Sequence, residues 1–277
     1  MPEKNSVAAH YTHGRLLDAI IGGLEKLGKT PDSVIVDDLA PVDEFHIGGR
    51  IATESFLDQV TLGPDDHVLD VGCGLGGASR FAAQRYNCRV SGVDLTHEFV
   101  DAGTALCAWV GLADRVTLEQ GDATATSYDE GMFDKAYMLH VGMNIADKPA
   151  LARELFRVLR PGATLGIYDV MKVGGGDLTF PVPWAVNSSE SAVGSPTEYK
   201  EALEAAGFVI TAERNRRDFA LEFFAKLQAA ASKAKNPPAL GLHILMGKNA
   251  PVKVRNLIEN VSENRIAPVE LIARKMA

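Results

Sequence analysis

His67-Val68-Leu69-Asp70-Val71-Gly72-Cys73-Gly74-Leu75-Gly76-Gly77 is the stretch that decides the fold. Its apolar residues read as a buried strand with an acid near its end, and the glycines turn the chain into a helix. Glycines in such a turn permit positive φ and let the backbone approach a ligand, while the helix that follows presents unpaired N–H groups at its start. The turn is therefore expected to hold a nucleoside-bearing cofactor.

Two cofactor classes compete for it. Gly72, Gly74 and Gly77 satisfy G-x-G-x-x-G, the dinucleotide fingerprint. Asp70, two residues before the first glycine, separates the readings, because a carboxylate there repels a diphosphate and suits a cation. S-adenosylmethionine offers a sulfonium and an α-ammonium and carries no phosphate. On these residues the chain resembles the class I S-adenosylmethionine-dependent methyltransferases.

Further motifs follow in the order that family has them. Asp94 ends a second strand, 17 residues after Gly77; an acid there accepts ribose hydroxyls, in dinucleotide enzymes as well. Asp122, in Leu118-Glu119-Gln120-Gly121-Asp122-Ala123, resembles the acid that takes the adenine amino group. Phe133 to His140 and then Leu155-Phe156-Arg157-Val158-Leu159-Arg160-Pro161-Gly162 resemble the fourth strand, the fourth helix and the turn into the fifth strand. Each acid alone could equally be a helix cap or a solvated loop residue. Asp43-Glu44-Phe45-His46-Ile47-Gly48-Gly49, Tyr168-Asp169-Val170-Met171-Lys172 and the helical region before the last strand are similar to the sarcosine and dimethylglycine N-methyltransferase branch. That resemblance implies Gly49 at the aminocarboxyl end of the cofactor, Asp94 and Leu95 at the ribose and adenine, Asp122 and Ala123 at the base, and His140 near the sulfonium. Asp70, Gly72, Gly74, Gly76 and Leu139 are the further expected cofactor-binding residues. A glycine-derived acceptor would bring a carboxylate, for which Lys172 or Arg50 is the expected partner.

Outward from these motifs, strands are predicted near 67–71, 88–93, 115–119, 133–139, 163–169, 208–213 and 267–274, with helices near 12–27, 49–60, 77–86, 97–109, 149–159 and 197–206. Strands alternating with helices imply crossover connections. The expected fold is α/β: a Rossmann-like, seven-stranded, mostly parallel sheet with helices on both faces and an antiparallel last strand. Residues 1–62 are expected to form an N-terminal helical cover, with 37–50 as a polar connection. Residues 63–277 are expected to form the cofactor-binding domain, with acceptor-pocket insertions at about 171–196 and 218–265, the latter a C-terminal helical cover.

The 277 residues, 46% hydrophobic, suffice for one full core. A net charge of −8 argues against a nucleic-acid partner; Arg214, Arg216 and Arg217 form the notable basic cluster. Cys73, Cys88 and Cys107 give neither a metal spacing nor an even count for disulfides, so no metal is expected. The first thirty residues have no signal-like apolar stretch, and a cytoplasmic protein without a membrane partner is the expectation, with room for a homo-oligomer.

Methyl transfer from a sulfonium requires a base only when the nucleophile arrives protonated. His140, closing the fourth strand at the mouth of the cleft, and His46, before paired glycines, are the catalytic candidates. His243, Tyr11, Tyr168 and Asp169 are weaker ones, and Trp184 with Phe219, Phe223 and Phe224 could form a cation-binding box. Asn144, Asp147 and Asp169 have no spacing that supports a metal. The expected activity is methyl transfer from S-adenosylmethionine to a small-molecule acceptor, an amine favoured, with S-adenosylhomocysteine as product. The alternatives are an O- or C-methyltransferase of a polyketide, quinone or terpenoid, an NAD-dependent oxidoreductase, and a non-catalytic cofactor-binding protein.

Overall fold

The computed structural model describes residues 4–12, 14–233 and 238–277. Helices α1 (Lys4–Tyr11), α2 (Leu16–Lys26), α3 (Val36–Asp43) and α4 (Gly49–Val60) come first. Strand and helix then alternate through β1 (His67–Val71), α5 (Gly77–Tyr86), β2 (Arg89–Asp94), α6 (His97–Trp109), β3 (Val116–Gln120), β4 (Phe133–Leu139), α7 (Lys148–Val158), β5 (Leu159–Lys172), α8 (Pro196–Ala206) and β6 (Phe208–Asn215). Helices α9 (Arg217–Ala231), α10 (His243–Met246) and α11 (Ala250–Ser262) precede β7 (Ile266–Lys275).

The seven strands form one sheet in the order β3-β2-β1-β4-β5-β7-β6. The pairings from β3 to β5 are parallel, and β7 runs antiparallel between β5 and β6. The chain winds outward from β1 in one direction and from β4 in the other. This reversal opens a crevice beyond the carboxyl ends of β1 and β4, where ligands of open α/β sheets bind.

Both faces of the sheet are covered. Leu151 and Leu155 of α7 and Tyr199 and Leu203 of α8 pack on one. Phe56 and Val60 of α4, Phe81 of α5 and Val100 of α6 pack on the other. Helix α4 is thus a layer of the sandwich, and Gly166 of β5 is bare to receive it: a Cβ there would lie 2.7 Å from the Phe56 ring. Helices α2 and α3 pack instead with α6 and α10, through Ile20, Leu24, Leu39, Phe99 and Leu245.

Three expectations shift. The polar connection at 37–50 contains helix α3. Val36, Leu39 and Val42 are buried, the Asp38 carboxylate accepts the Ile35 N–H at 3.0 Å, and two acids in the first turn favour the helix dipole. The first long helix begins at Leu16 rather than near 12, its N–H held by Glu98 at 2.9 Å, and α1 precedes it as a separate element. Strand β5 extends from Leu159 to Lys172, where β7 pairs with it as far as Lys172.

Among the described residues no helix is long and apolar enough to cross a membrane, and no group of three or more His, Cys, Asp or Glu side chains could hold a metal ion. All three cysteines are buried and free. The basic cluster is spoken for within the fold. Arg214 and Arg216 pair with the buried Glu270, and Arg217 donates to the carbonyls of Val261 and Ser262.

Candidate active site

A cavity of about 510 Å³ opens at the carboxyl ends of β1, β2 and β4. Gly49, Asp70, Gly72, Gly74, Asp94, Leu95, Asp122, Ala123 and Leu139 line it, together with His46 and His140. Gly76 does not. It caps the start of α5 at φ +75, and a Cβ on it would meet Leu118 at 2.8 Å. Its bareness serves the packing of helix against strand.

The glycine turn is fastened to β2. The Gly72 and Cys73 N–H groups donate to the Val93 carbonyl at 2.7 and 3.1 Å. At the end of β2 the Asp94 carboxylate accepts the Gly74 N–H at 2.9 Å through one oxygen and the Thr96 N–H at 2.8 Å through the other. Each oxygen keeps a further lone pair, which is the chemistry that receives a vicinal diol. A Cβ on Gly74 would meet only the Phe99 ring, at 3.9 Å, so the bare backbone leaves room beside Asp94 for a ligand to lie close. The carboxylates of Asp94 and Asp122, the apolar Leu95 and Leu139, and the cation-seeking Asp70 fit the ribose, adenine and positive charges of S-adenosylmethionine. A diphosphate would meet carboxylates here.

Asp70 is buried, with Ser79 and Tyr137 donating to one carboxylate oxygen at 2.6 and 3.0 Å. Burial outweighs these donors and pushes its carboxyl up to about 7. A cation placed against it favours the ionised form. Binding of the sulfonium cofactor is therefore expected to release a proton, and affinity to rise as pH rises through 7. Calorimetry in buffers of different ionisation heat reads the released proton; identical heats in all buffers would sever Asp70 from the cation.

The two catalytic candidates meet. The rings of His46 and His140 lie 5.9 Å apart between centroids, at 67°. His46 sits in the turn before α4, where Gly48 takes φ +96 and a Cβ on it would lie 2.5 Å from Phe219. The Tyr168 hydroxyl pins this turn by donating to the Ile47 carbonyl at 2.9 Å. His140, at the end of β4, takes φ +54, a left-handed conformation that costs a non-glycine residue energy.

Their surroundings differ. His46 Nε2 lies 3.2 Å from the Gly49 carbonyl and 2.9 Å from Thr53 Oγ1, whose own hydrogen goes to Glu44 Oε2 at 2.6 Å. The carbonyl can only accept, so Nε2 carries the hydrogen and Nδ1 is the open lone pair. Glu44 Oε2, 3.5 Å from Nε2, stabilises a charged ring, and Arg50 Nε anchors the other oxygen of Glu44. Burial lowers His46 below the ordinary imidazole range while Glu44 pulls it back up. His140 Nε2 is buried with no hydrogen-bond partner, and burial, with His46 beside it, holds this ring well below the ordinary range. At neutral pH both rings are uncharged. Glu44 and Thr53, which contact His46, are not among the candidates the sequence pointed to; a carboxylate two positions before His46 is the one local signal for them.

The weaker candidates separate. Tyr11 lines the cavity and its hydroxyl accepts from Asn144 at 3.3 Å, with burial raising its phenol well above the ordinary range. Asn144 and Asp147 line the cavity also. Tyr168 and Asp169 are wholly buried, the latter accepting the Tyr199 hydroxyl at 2.6 Å. His243 is exposed and outside the lining. Trp184, Phe223 and Phe224 line the cavity, whereas Phe219 lies outside the lining and beneath the Arg216 guanidinium. Of the cations expected to receive a carboxylate, Arg50 is engaged by Glu44 and Asp37, and Lys172 is exposed; neither lines the cavity.

Residues 68–162 match the family described as a methyltransferase domain. Phosphoethanolamine N-methyltransferase 1 of Arabidopsis thaliana is 37% identical over 122 residues, covering 44% of this chain and 24% of that protein. The 2-methyl-6-phytyl-1,4-hydroquinone methyltransferase of Synechocystis is 37% identical over 170 residues, covering 60% of this chain and 51% of that protein. The chain thus spans about a quarter to about half the length of these curated relatives. Among solved structures, the geranyl diphosphate C-methyltransferase of Streptomyces coelicolor, in complex with Mg2+, geranyl diphosphate and S-adenosyl-L-homocysteine, superposes with a TM-score of 0.70 at 21% identity. It covers 100% of this chain and 98% of that one.

Proposed function

We propose that this chain, whose residues 68–162 match a methyltransferase-domain family, transfers a methyl group from S-adenosylmethionine to a small-molecule acceptor whose attacking atom arrives protonated, with His46 as the base. The observation that carries this reading is the pair of neutral, buried imidazoles in one cavity wall, one backed by a carboxylate and the other holding an unpartnered nitrogen. S-adenosylmethionine supplies an electrophilic methyl group and leaves as S-adenosylhomocysteine. His46 Nδ1 takes the proton from the acceptor as its lone pair is committed to the methyl carbon. The imidazolium so formed keeps its Nε2 hydrogen on Thr53 and the Gly49 carbonyl, and the charge of Glu44 offsets its own. His140 Nε2 orients the acceptor through a hydrogen bond, and the apolar wall around it excludes water.

The acceptor atom is best read as a hydroxyl oxygen. A glycine-derived amine needs a cation for its carboxylate, and Arg50 and Lys172 lie outside the lining. The curated relatives include proteins named for phosphoethanolamine and for a hydroquinone, and the second chemistry suits a base beside an apolar wall. Transfer of a labelled methyl group to phenol and hydroquinone acceptors tests the reading. The rate is expected to hold level through neutral pH and to fall only below the ordinary imidazole range, because burial lowers the folded pKa of His46. A rate that climbs steadily through alkaline pH would mean that solvent hydroxide, not His46, removes the proton.

A further inference from the structure

We infer that the acceptor of this site is an uncharged, largely apolar hydroxyl compound, a phenol or enol carried on a hydrocarbon body, and that anionic acceptors are excluded; this rests on the reading of His46 as base. The cavity has two chemically distinct halves. Glu44, Asp70, Asp94 and Asp122 stand in the half nearest the glycine turn. From outside the β1–β4 strand ends, Trp184 after β5, Phe224 of α9, Leu245 of α10 and Leu257 of α11, all buried, add an apolar wall to the lining.

No lysine or arginine side chain among those described lines the cavity. Lys148 Nζ donates to the carbonyls of Gly142 and Ala192 at 2.9 and 2.8 Å, and Arg80 is closed on Asp43. A carboxylate or phosphate entering the cavity would lose its hydration, find an apolar wall on one side and carboxylates on the other, and gain no counter-ion. A neutral ring loses little hydration, gains by burying its apolar surface, and brings one hydroxyl to the imidazole pair. The polar groups available to an acceptor are thus suited to a single hydroxyl.

An isosteric pair of probes tests this. With the protein saturated by S-adenosylhomocysteine at pH 7, 2-naphthol and 2-naphthoate are titrated calorimetrically. Binding of 2-naphthol at least about tenfold tighter than 2-naphthoate is expected. Equal affinities, tighter binding of the anion, or binding of neither probe overturns the inference. Val254→Lys adds an ammonium to the lining from the half-buried face of α11. It is expected to narrow the preference several-fold, and an unchanged ratio would show that charge in the lining does not set selectivity. The base reading fails separately: it is read from the turnover and pH profile of His46→Gln in methyl transfer, whereas the paired titrations use the wild-type protein and read only what the cavity accepts.

Discussion

His46→Gln lowers the turnover number by about 10²- to 10⁴-fold, the contribution typical of a positioned general base, while affinity for S-adenosylhomocysteine stays nearly constant. Glutamine can still donate to the Gly49 carbonyl, so the turn before α4 keeps its shape and the lost group is the basic Nδ1. Glu44→Gln acts through His46 and gives a different signature. Removing the carboxylate that pulls the imidazole pKa upward moves the acid limb of the rate profile to lower pH, and the charged ring loses its partner. His140→Ala also lowers turnover, with a larger share of the loss in acceptor KM, because its unpartnered Nε2 is assigned to orienting the acceptor. Steady-state kinetics with calorimetric cofactor affinities separates these cases. Equal losses of turnover and cofactor affinity in His46→Gln would make that residue structural.

The largest effect on stability is expected at a buried ion pair behind the glycine turn. Arg80 and Asp43 are both fully shielded, and the guanidinium donates to the carboxylate at 2.7 Å. Arg80 also donates to the Leu75 carbonyl at 2.7 Å and to the Gly103 carbonyl at 3.3 Å, at the back of the glycine turn. The pair joins α3 to the cofactor loop, and Gly77 is bare to admit it, since a Cβ there would lie 2.3 Å from that of Asp43. Burial pushes the Asp43 carboxyl up to about 6 even with Arg80 beside it, so desolvation opposes the ion against the pull of the guanidinium. Arg80→Ala strands that carboxylate and is expected to cost about 3–5 kcal/mol in denaturant unfolding. Arg80→Met combined with Asp43→Asn removes both charges and is expected to recover part of the loss. A single Arg80→Ala within about 1 kcal/mol of wild type would show that the pair is replaceable by solvent.

The alternation of strand and helix was legible because its signals are local. The β1 run from His67 to Val71 is apolar and ends in glycines, and β1 and β4 begin and end at the predicted residues. Helix α3 was masked by Asp37, Asp38 and Pro41, which read as a turn although Val36, Leu39 and Val42 carry helical spacing. That Asp70, Asp94 and Leu139 line one cavity was legible for the same reason as the sheet, since they sit at strand ends. The meeting of His46 with His140 was not, because it depends on how the turn before α4 is pinned to Tyr168 of β5. Nor was the burial of Arg80: a helix-surface pattern does not reveal that another helix will cover it. The absence of Arg50 and Lys172 from the lining is likewise a matter of where partners lie, which spacing alone does not encode.

Residues from β1 to the end of β4 supply Asp70, Asp94 and Asp122 to the cavity, and the family match at 68–162 falls on the same stretch. The apolar wall is assembled from three separate parts of the chain: α1, the segment after β5, and α9 through α11. None of the strands that fix the glycine turn and Asp94 draws its pairing from those parts. Mutational drift can therefore remodel the acceptor wall piecemeal while the nucleoside platform stays under constraint. A lineage built this way is able to change what it methylates faster than it changes how.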